Sequence, residues 1–302
     1  MHFIKLTDFY ESIFGCKTYK ISLDAGCTCP NRDGTKGTGG CIFCSESGSG
    51  DFASDRNLSI REQIGQGIKL VESKVHGRSG EREGKYIAYF QNFSSTYGNA
   101  TSLLAKYRES LLCDKVEGLA FATRPDCLNQ EILNGLAEIS REHFVQIELG
   151  LQTSNETTAG TINRLYTNQD YIDAIKRIKK ASPEIHIVSH LIFGLPGETE
   201  KDMMDSVKFV VQHNKESGQF FGIKITVLYV LKNTALADMY QRGQYQPLSQ
   251  DEYFGLLKKA LPLLPSNCIV HRLTGDPPKG KLLAPAWPTD KKRVLNELKK
   301  IY

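Results

Sequence analysis

Residues 24–52 read DAGCTCPNRDGTKGTGGCIFCSESGSGDF, and they begin where an apolar run at residues 17–23 (KTYKISL) ends. Four cysteines fall in this stretch: Cys27, Cys29, Cys41 and Cys44. The last two form a C-x-x-C pair, a spacing that lets both thiols reach one metal centre. Gly34, Gly37, Gly39 and Gly40 separate the pair from Cys29, so the backbone can fold back and deliver a third thiol. Two metal readings stay open on spacing. Three thiolates on a 4Fe-4S cubane leave one iron without a protein ligand and free to take a small molecule. A structural zinc would instead use all four cysteines in a closed tetrahedron, for which the single residue between Cys27 and Cys29 is an unusual pair spacing. Clustering in a long chain disfavours disulfides. Cys16, Cys113, Cys127 and Cys268 are isolated and read as small buried residues.

Outward from this loop, apolar runs recur at residues 17–23, 86–90, 118–122, 144–149, 185–193 and 222–228. Such runs are expected of parallel strands buried on both faces. Between them lie helical patterns at residues 60–75, 102–113, 128–139, 170–181 and 201–214; in the fourth, Tyr171, Ile172, Ile175 and Ile178 share one face. Strands alternating with helices imply βαβ units and a parallel sheet, closed as a barrel or open. Either form places its chemistry at the carboxyl ends of the strands, where the cysteine loop sits. After residue 228 the alternation stops, and a helix at 250–264, a proline-rich stretch and a basic helix at 290–300 follow. The expected organisation is a core over residues 1–245 carrying a cluster loop at 27–50, with a basic C-terminal extension over 246–302 packed on the barrel.

The chain has 302 residues, 40% hydrophobic and 24% charged, enough for one large core. No stretch approaches the roughly 20 apolar residues that a membrane span needs. The first fifteen residues carry charges throughout, unlike a secretory leader. A cytoplasmic protein without a membrane partner is therefore expected. The net charge of +4 is mild, but residues 271–302 hold eight Lys and Arg against three Asp and Glu. That excess suits an anionic partner, and equally a solvated helix face.

The run CPNRDGTKGTGGCIFC at residues 29–44 resembles the cluster loop of radical S-adenosylmethionine (SAM) enzymes. The likeness is to the subgroup related to the Elongator catalytic subunit, and within it to the YtqA/YhcC type. It extends through ATRPDCL (122–128), ELGLQT (148–153), HLIFGLPGET (190–199) and RLTGDPPKGKLLAPAW (272–287). The resemblance implies an α/β fold, a partial (β/α)6 TIM-like barrel with a C-terminal helical or irregular extension. It also implies a 4Fe-4S cluster on Cys29, Cys41 and Cys44, and reductive cleavage of SAM to a 5′-deoxyadenosyl radical. By the same resemblance, Gln91, Asn92, Ser94 and Ser95 in QNFSSTYG meet the methionine end of SAM, and Thr123 joins them after the third strand. Glu148 and Gln152 would face the ribose and methionine portions, and Arg164 would pair with the SAM carboxylate, which an arginine fork suits. Asp126 is read as a cap or a ligand, Glu198 as a helix start or an adenine neighbour, and His190 as a core residue or a substrate contact.

Similarity to the YtqA type, of which MnmL-like enzymes are members, implies tRNA as partner. The reaction it implies converts 5-carboxymethylaminomethyl-(2-thio)uridine at the wobble position to 5-aminomethyl-(2-thio)uridine. An electron donor such as flavodoxin or ferredoxin is implied with it. Two other readings stand beside this one: a radical SAM enzyme with a small-molecule or protein substrate, and a non-catalytic RNA-binding module stabilised by zinc.

Overall fold

A computed structural model describes residues 3–48, 53–75, 84–215, 219–278 and 280–301. Residues 49 and 50 of the expected cluster loop, and Lys279 of the basic tail, lie outside the described residues. The chain opens with β1 (Ile4–Lys5) and α1 (Leu6–Phe14), then runs β2 (Thr18–Leu23), α2 (Ile60–Val75), β3 (Lys85–Phe90), α3 (Ala100–Leu111), β4 (Val116–Thr123), α4 (Gln130–Ile139) and β5 (Phe144–Gln152). There follow α5 (Glu156–Thr161), α6 (Asn168–Ala181), β6 (His186–Phe193), α7 (Glu200–Lys215), β7 (Phe221–Val227), β8 (Val230–Leu231), α8 (Ala235–Gln241), α9 (Gln250–Ala260), β9 (Cys268–Arg272), β10 (Leu282–Ala284) and α10 (Lys291–Lys299).

The main sheet has the order β1-β9-β7-β6-β5-β4-β3-β2, and every pairing in it is parallel. It is the expected α/β partial barrel, with all six expected strands side by side. Alternate residues of each strand face opposite ways. Ile21, Leu23, Phe90, Phe121, Ile147 and Ile225 pack outward against the helices in one large core. Phe9 and Tyr10 of α1 press on Ile87, Tyr89 and Ala120, so the first helix plugs one end of the barrel.

Two strands of the main sheet were not expected, nor was the separate antiparallel pair of β8 and β10. β1 is a two-residue edge, and β9 lies between β1 and β7. Residues 268–272, which were expected within an appended extension, thus supply a strand of the sheet itself. The edge strands β1 and β2 do not pair with each other, and the seam between them is where a full barrel would close. Helix starts follow their caps: Thr167 with Asp170, and Ser249 with Glu252, form reciprocal capping boxes on α6 and α9. Among the described residues, no helix is long and apolar enough to cross a membrane.

Candidate cofactor site

The loop after β2 is braced before it reaches its cysteines. Asp24, 4% exposed, accepts the Gly26 N–H at 2.7 Å and Arg56 Nε at 3.2 Å, and takes a short bond from Asn92 Nδ2. Beyond it, the Pro30 carbonyl accepts the N–H groups of Lys36 and Gly37, and the Asn31 carbonyl accepts that of Gly40, which turns the chain back. Gly40 sits at φ +82°, and a Cβ there would stand 2.8 Å from the Arg32 side chain, so this turn needs glycine twice over.

The fold-back brings Cys29, Cys41 and Cys44 to the wall of one cavity of about 210 Å³ at the carboxyl ends of the strands. Cys27 faces the other way, into the apolar core, where burial first and Asp24 second push its thiol up to about 11. The thiols divide three to one. That division fits a cubane with one open iron and does not fit a four-thiolate zinc site. Among the described residues, no three His, Cys, Asp or Glu groups converge on a point that would hold a single ion. A cubane asks for something else, since its thiolates bind different irons around a shared space. Burial, then the neighbouring Cys44, push the Cys41 thiol up to about 12, so loading metal must displace a proton there.

Two side chains aim N–H groups at these sulfurs. Asn31 Nδ2 lies 3.8 Å from Cys41 Sγ, and Arg124 Nη1 lies 3.8 Å from Cys29 Sγ. Arg124 is held by both oxygens of Asp126, at 2.9 and 2.8 Å, and its guanidinium covers the Tyr166 ring at 4.7 Å. Lys36 adds a contact to Asp126 at 2.7 Å. Asp126 is thus neither cap nor ligand but the clamp on Arg124, and against its burial these two cations hold its carboxyl below the ordinary range. The sequence reading did not single out Arg124 or Asn31 as functional; an arginine two residues before an aspartate was the available hint.

Of the expected cofactor residues, Gln91, Ser94, Thr123, Glu148 and Gln152 line the same cavity as the three cysteines. Gln152 stands out. Its backbone sits at φ +68°, in the left-handed region, and among the described residues its buried Oε1 has no hydrogen-bond partner. A strained residue holding out an unused acceptor is a place for an ammonium or hydroxyl donor.

Four expectations need correction. Asn92 and Ser95 are not among the described lining: Asn92 ties to Asp24, and Ser95 Oγ donates to the Ala122 carbonyl at 2.9 Å. Arg164 is fully buried, with every guanidinium N–H committed. Its Nε donates to the Tyr166 carbonyl at 2.9 Å, its Nη1 to the carbonyls of Leu151 and Thr153 at 2.9 and 2.7 Å, and its Nη2 to Glu156 and Asn168 at 3.1 Å each. It has nothing left for a SAM carboxylate and instead staples the turn after β5. Glu148 likewise has no free acceptor for a ribose. Lys20 Nζ (2.5 Å) and Gln146 Nε2 (2.9 Å) donate to one oxygen, and Tyr89 Oη (2.6 Å) and Lys224 Nζ (3.2 Å) to the other. Against burial, which raises it, the two ammonium groups hold the Glu148 carboxyl well below the usual range.

His190 lines the cavity and bonds Thr226 Oγ1 at 3.0 Å; burial, then Lys224, lower it to about 3, so it is neutral near neutral pH. Glu198 precedes α7, accepts the Thr153 hydroxyl, and among the described residues leaves Oε2 unpartnered; burial raises it to about 7. Of the isolated cysteines, Cys127 and Cys268 are buried as expected, and Cys16 and Cys113 are half-buried. Beside the cofactor cavity lies a chamber of about 1030 Å³ in the gap between β2 and β9. The two spaces share Tyr89, Gln91, Glu148 and Lys224.

The Radical SAM superfamily model matches residues 32–210, and that of the Radical_SAM C-terminal domain matches residues 221–301. The uncharacterized protein YtqA of Bacillus subtilis is 39% identical over 95% of this chain and 85% of its own length. The tRNA-2-methylthio-N(6)-dimethylallyladenosine synthase of Alkaliphilus oremlandii is 28% identical over 48% of this chain and 30% of its own length. Among solved structures, the archaeal Methanocaldococcus infernus Elp3 superposes with a TM-score of 0.65 at 16% identity; the match covers 94% of this chain, which spans 64% of that one. This chain belongs to the radical SAM superfamily, whose members use a 4Fe-4S cluster and S-adenosylmethionine.

Proposed function

We propose that this radical SAM enzyme modifies the wobble uridine of tRNA, removing the carboxymethyl portion of 5-carboxymethylaminomethyl-(2-thio)uridine to leave 5-aminomethyl-(2-thio)uridine. Cys29, Cys41 and Cys44 hold the cluster in this reading. When bound, the cluster and SAM supply a 5′-deoxyadenosyl radical able to take a hydrogen atom from the substrate. The observation that carries the proposal is the shared wall of the two spaces. A cofactor beside the three cysteines looks across Tyr89, Gln91, Glu148 and Lys224 into a chamber of about 1030 Å³, room enough for a nucleoside.

The chain's own residues do the positioning. Arg124 and Asn31 orient two of the thiols, Gln152 offers an acceptor to SAM, and Ser94 and Thr123 stand beside it. Phe43 and Ile192 give the cavity its apolar walls and keep water out. Residues 1–245 together with β9 serve as the core, and the rest of residues 246–302 as the basic extension, with α10 offering phosphate contacts through Lys292, Arg293 and Lys299. A cytoplasmic flavodoxin or ferredoxin supplies the electron. The partial match to a tRNA-modifying synthase supports an RNA substrate.

Anaerobic reconstitution, then dithionite and SAM with and without tRNA carrying the carboxymethylaminomethyl group, tests this. Formation of 5′-deoxyadenosine together with loss of the carboxymethyl portion is the expected result. Cleavage of SAM with the nucleoside unchanged would sink the tRNA assignment and move the search to small-molecule or protein substrates.

A further inference from the structure

The chamber between β2 and β9 is lined by Lys17, Lys20, Lys224 and Arg272 against Glu11, Glu148 and Asp276, an excess of one positive charge. Glu148 is shared by Lys20 at 2.5 Å and Lys224 at 3.2 Å. Arg272 pairs with Asp276 at 2.5 Å. Lys20 and Lys224 are largely shielded, with side chains 19% and 13% exposed. The His271 imidazole that lines the chamber adds no charge near neutral pH, because burial above all lowers it well below the ordinary histidine range. Two largely shielded ammonium groups on the one carboxylate of Glu148 are an arrangement that an entering anion completes.

Register decides where that anion would sit. His190, Lys224 and Arg272 are cross-strand partners on β6, β7 and β9, so the cations from these strands face one side of the chamber together. Lys20 faces them from β2, across the open gap. Between the two sides lies Tyr89, with Lys20 Nζ 4.8 Å and Lys224 Nζ 5.8 Å from its ring centroid. An aromatic face flanked by ammonium groups suits a planar ring that bears an anionic arm. Lys224 also borders the cofactor cavity. A group held there reaches the boundary between the chamber and the cofactor cavity.

We infer that Lys20, Lys224 and Arg272 form the recognition site for a carboxylate carried on the substrate's ring, with the ring against Tyr89. The choice of carboxylate rests on the tRNA reading above. Glu148 is the positioning residue, spacing the two ammonium groups so that the incoming anion completes the charge.

Equilibrium binding to the reconstituted protein in the presence of SAM tests this with four ligands. They are 5-carboxymethylaminomethyluridine, its methyl ester, uridine 5′-monophosphate, and an anticodon stem-loop carrying the carboxymethylaminomethyl group. The acid should bind at least about 10-fold more tightly than the ester in the native protein and in Lys20→Arg, and less than about twofold more tightly in Lys20→Met. Equal binding of acid and ester by the native protein overturns the inference without any variant. Tighter binding of uridine 5′-monophosphate than of the acid overturns it too, by making phosphate the ligand. The stem-loop separates the two readings. Acid preferred over ester with no stem-loop binding keeps the carboxylate site and sinks the tRNA assignment, and stem-loop binding without an acid preference does the reverse.

Discussion

Arg124 points Nη1 at Cys29 Sγ from 3.8 Å while its Nε and Nη2 grip Asp126 at 2.9 and 2.8 Å. A cationic N–H aimed at a cluster thiolate stabilises the reduced, more negative state, and contacts of this kind tune iron-sulfur potentials. Arg124→Met should therefore move the cluster potential to more negative values by about 60 mV, a tenfold change in a one-electron equilibrium. Iron content should be unchanged. A redox titration followed by electron paramagnetic resonance reads the shift; an unmoved potential would leave Arg124 no role beyond bracing the loop.

The three-to-one division of the loop cysteines gives a second expectation. Cys29→Ala, Cys41→Ala and Cys44→Ala should each abolish SAM cleavage and lower bound iron. Cys27→Ala should keep both and lose about 1 kcal/mol of stability, since it removes a small core side chain. Normal cleavage in any of the first three would falsify the ligand assignment.

Arg164 and a true SAM ligand differ in what their loss does to the protein without cofactor. Removing Arg164 takes a donor from the buried carbonyls of Leu151, Thr153 and Tyr166, of which Leu151 alone keeps the Thr153 N–H. Arg164→Met should cost about 3 kcal/mol in urea unfolding with no SAM present. A variant as stable as the native protein would show that the staple is dispensable and return Arg164 to the cofactor.

These residues also show why some of the site was legible in the sequence and some was not. β2 to β7 were found because each carries a short apolar run between helical patterns, whereas the spacing of the loop cysteines left a three-thiolate cluster and a four-thiolate zinc site both open, and only the family resemblance picked out Cys29, Cys41 and Cys44. β9, five residues beginning at Cys268 and ending in His271 and Arg272, is too short and too polar at its end to stand out. Arg124 meets Cys29 across 95 positions, a contact that no local pattern encodes. Arg164 was misread because a guanidinium suits a carboxylate ligand and a ring of backbone carbonyls equally well; the β5 turn decides between them.

Glu198 makes stability depend on pH in a stated direction. Burial raises its folded value to about 7, above the roughly 4.3 of a free glutamate. Between these values the native state keeps a proton that the unfolded chain releases. Its contribution is therefore complete below about pH 4.3 and is lost as pH rises to about 7. The native protein should lose stability relative to Glu198→Gln over that window, by about 2 kcal/mol after allowing for partial exposure. Urea unfolding of both proteins at a series of pH values measures it; parallel curves would mean that Glu198 titrates normally.

Gln152 joins backbone strain to an unused acceptor, and one substitution separates the two. The β5–β6 register shifts between Gly150 and Gln152, and Gln152 then holds φ +68°. Glycine adopts that conformation without the Cβ penalty, so Gln152→Gly should raise the stability of the cofactor-free protein by up to about 1 kcal/mol. The same change removes the Oε1 acceptor, and the SAM dissociation constant should rise about 10-fold. Thermal melts of the apoprotein and SAM titration of the reconstituted protein read the two effects separately. Gain of stability together with loss of affinity is the signature of strain kept for binding, because a residue that only turned the chain would be improved by glycine at no loss to the cofactor.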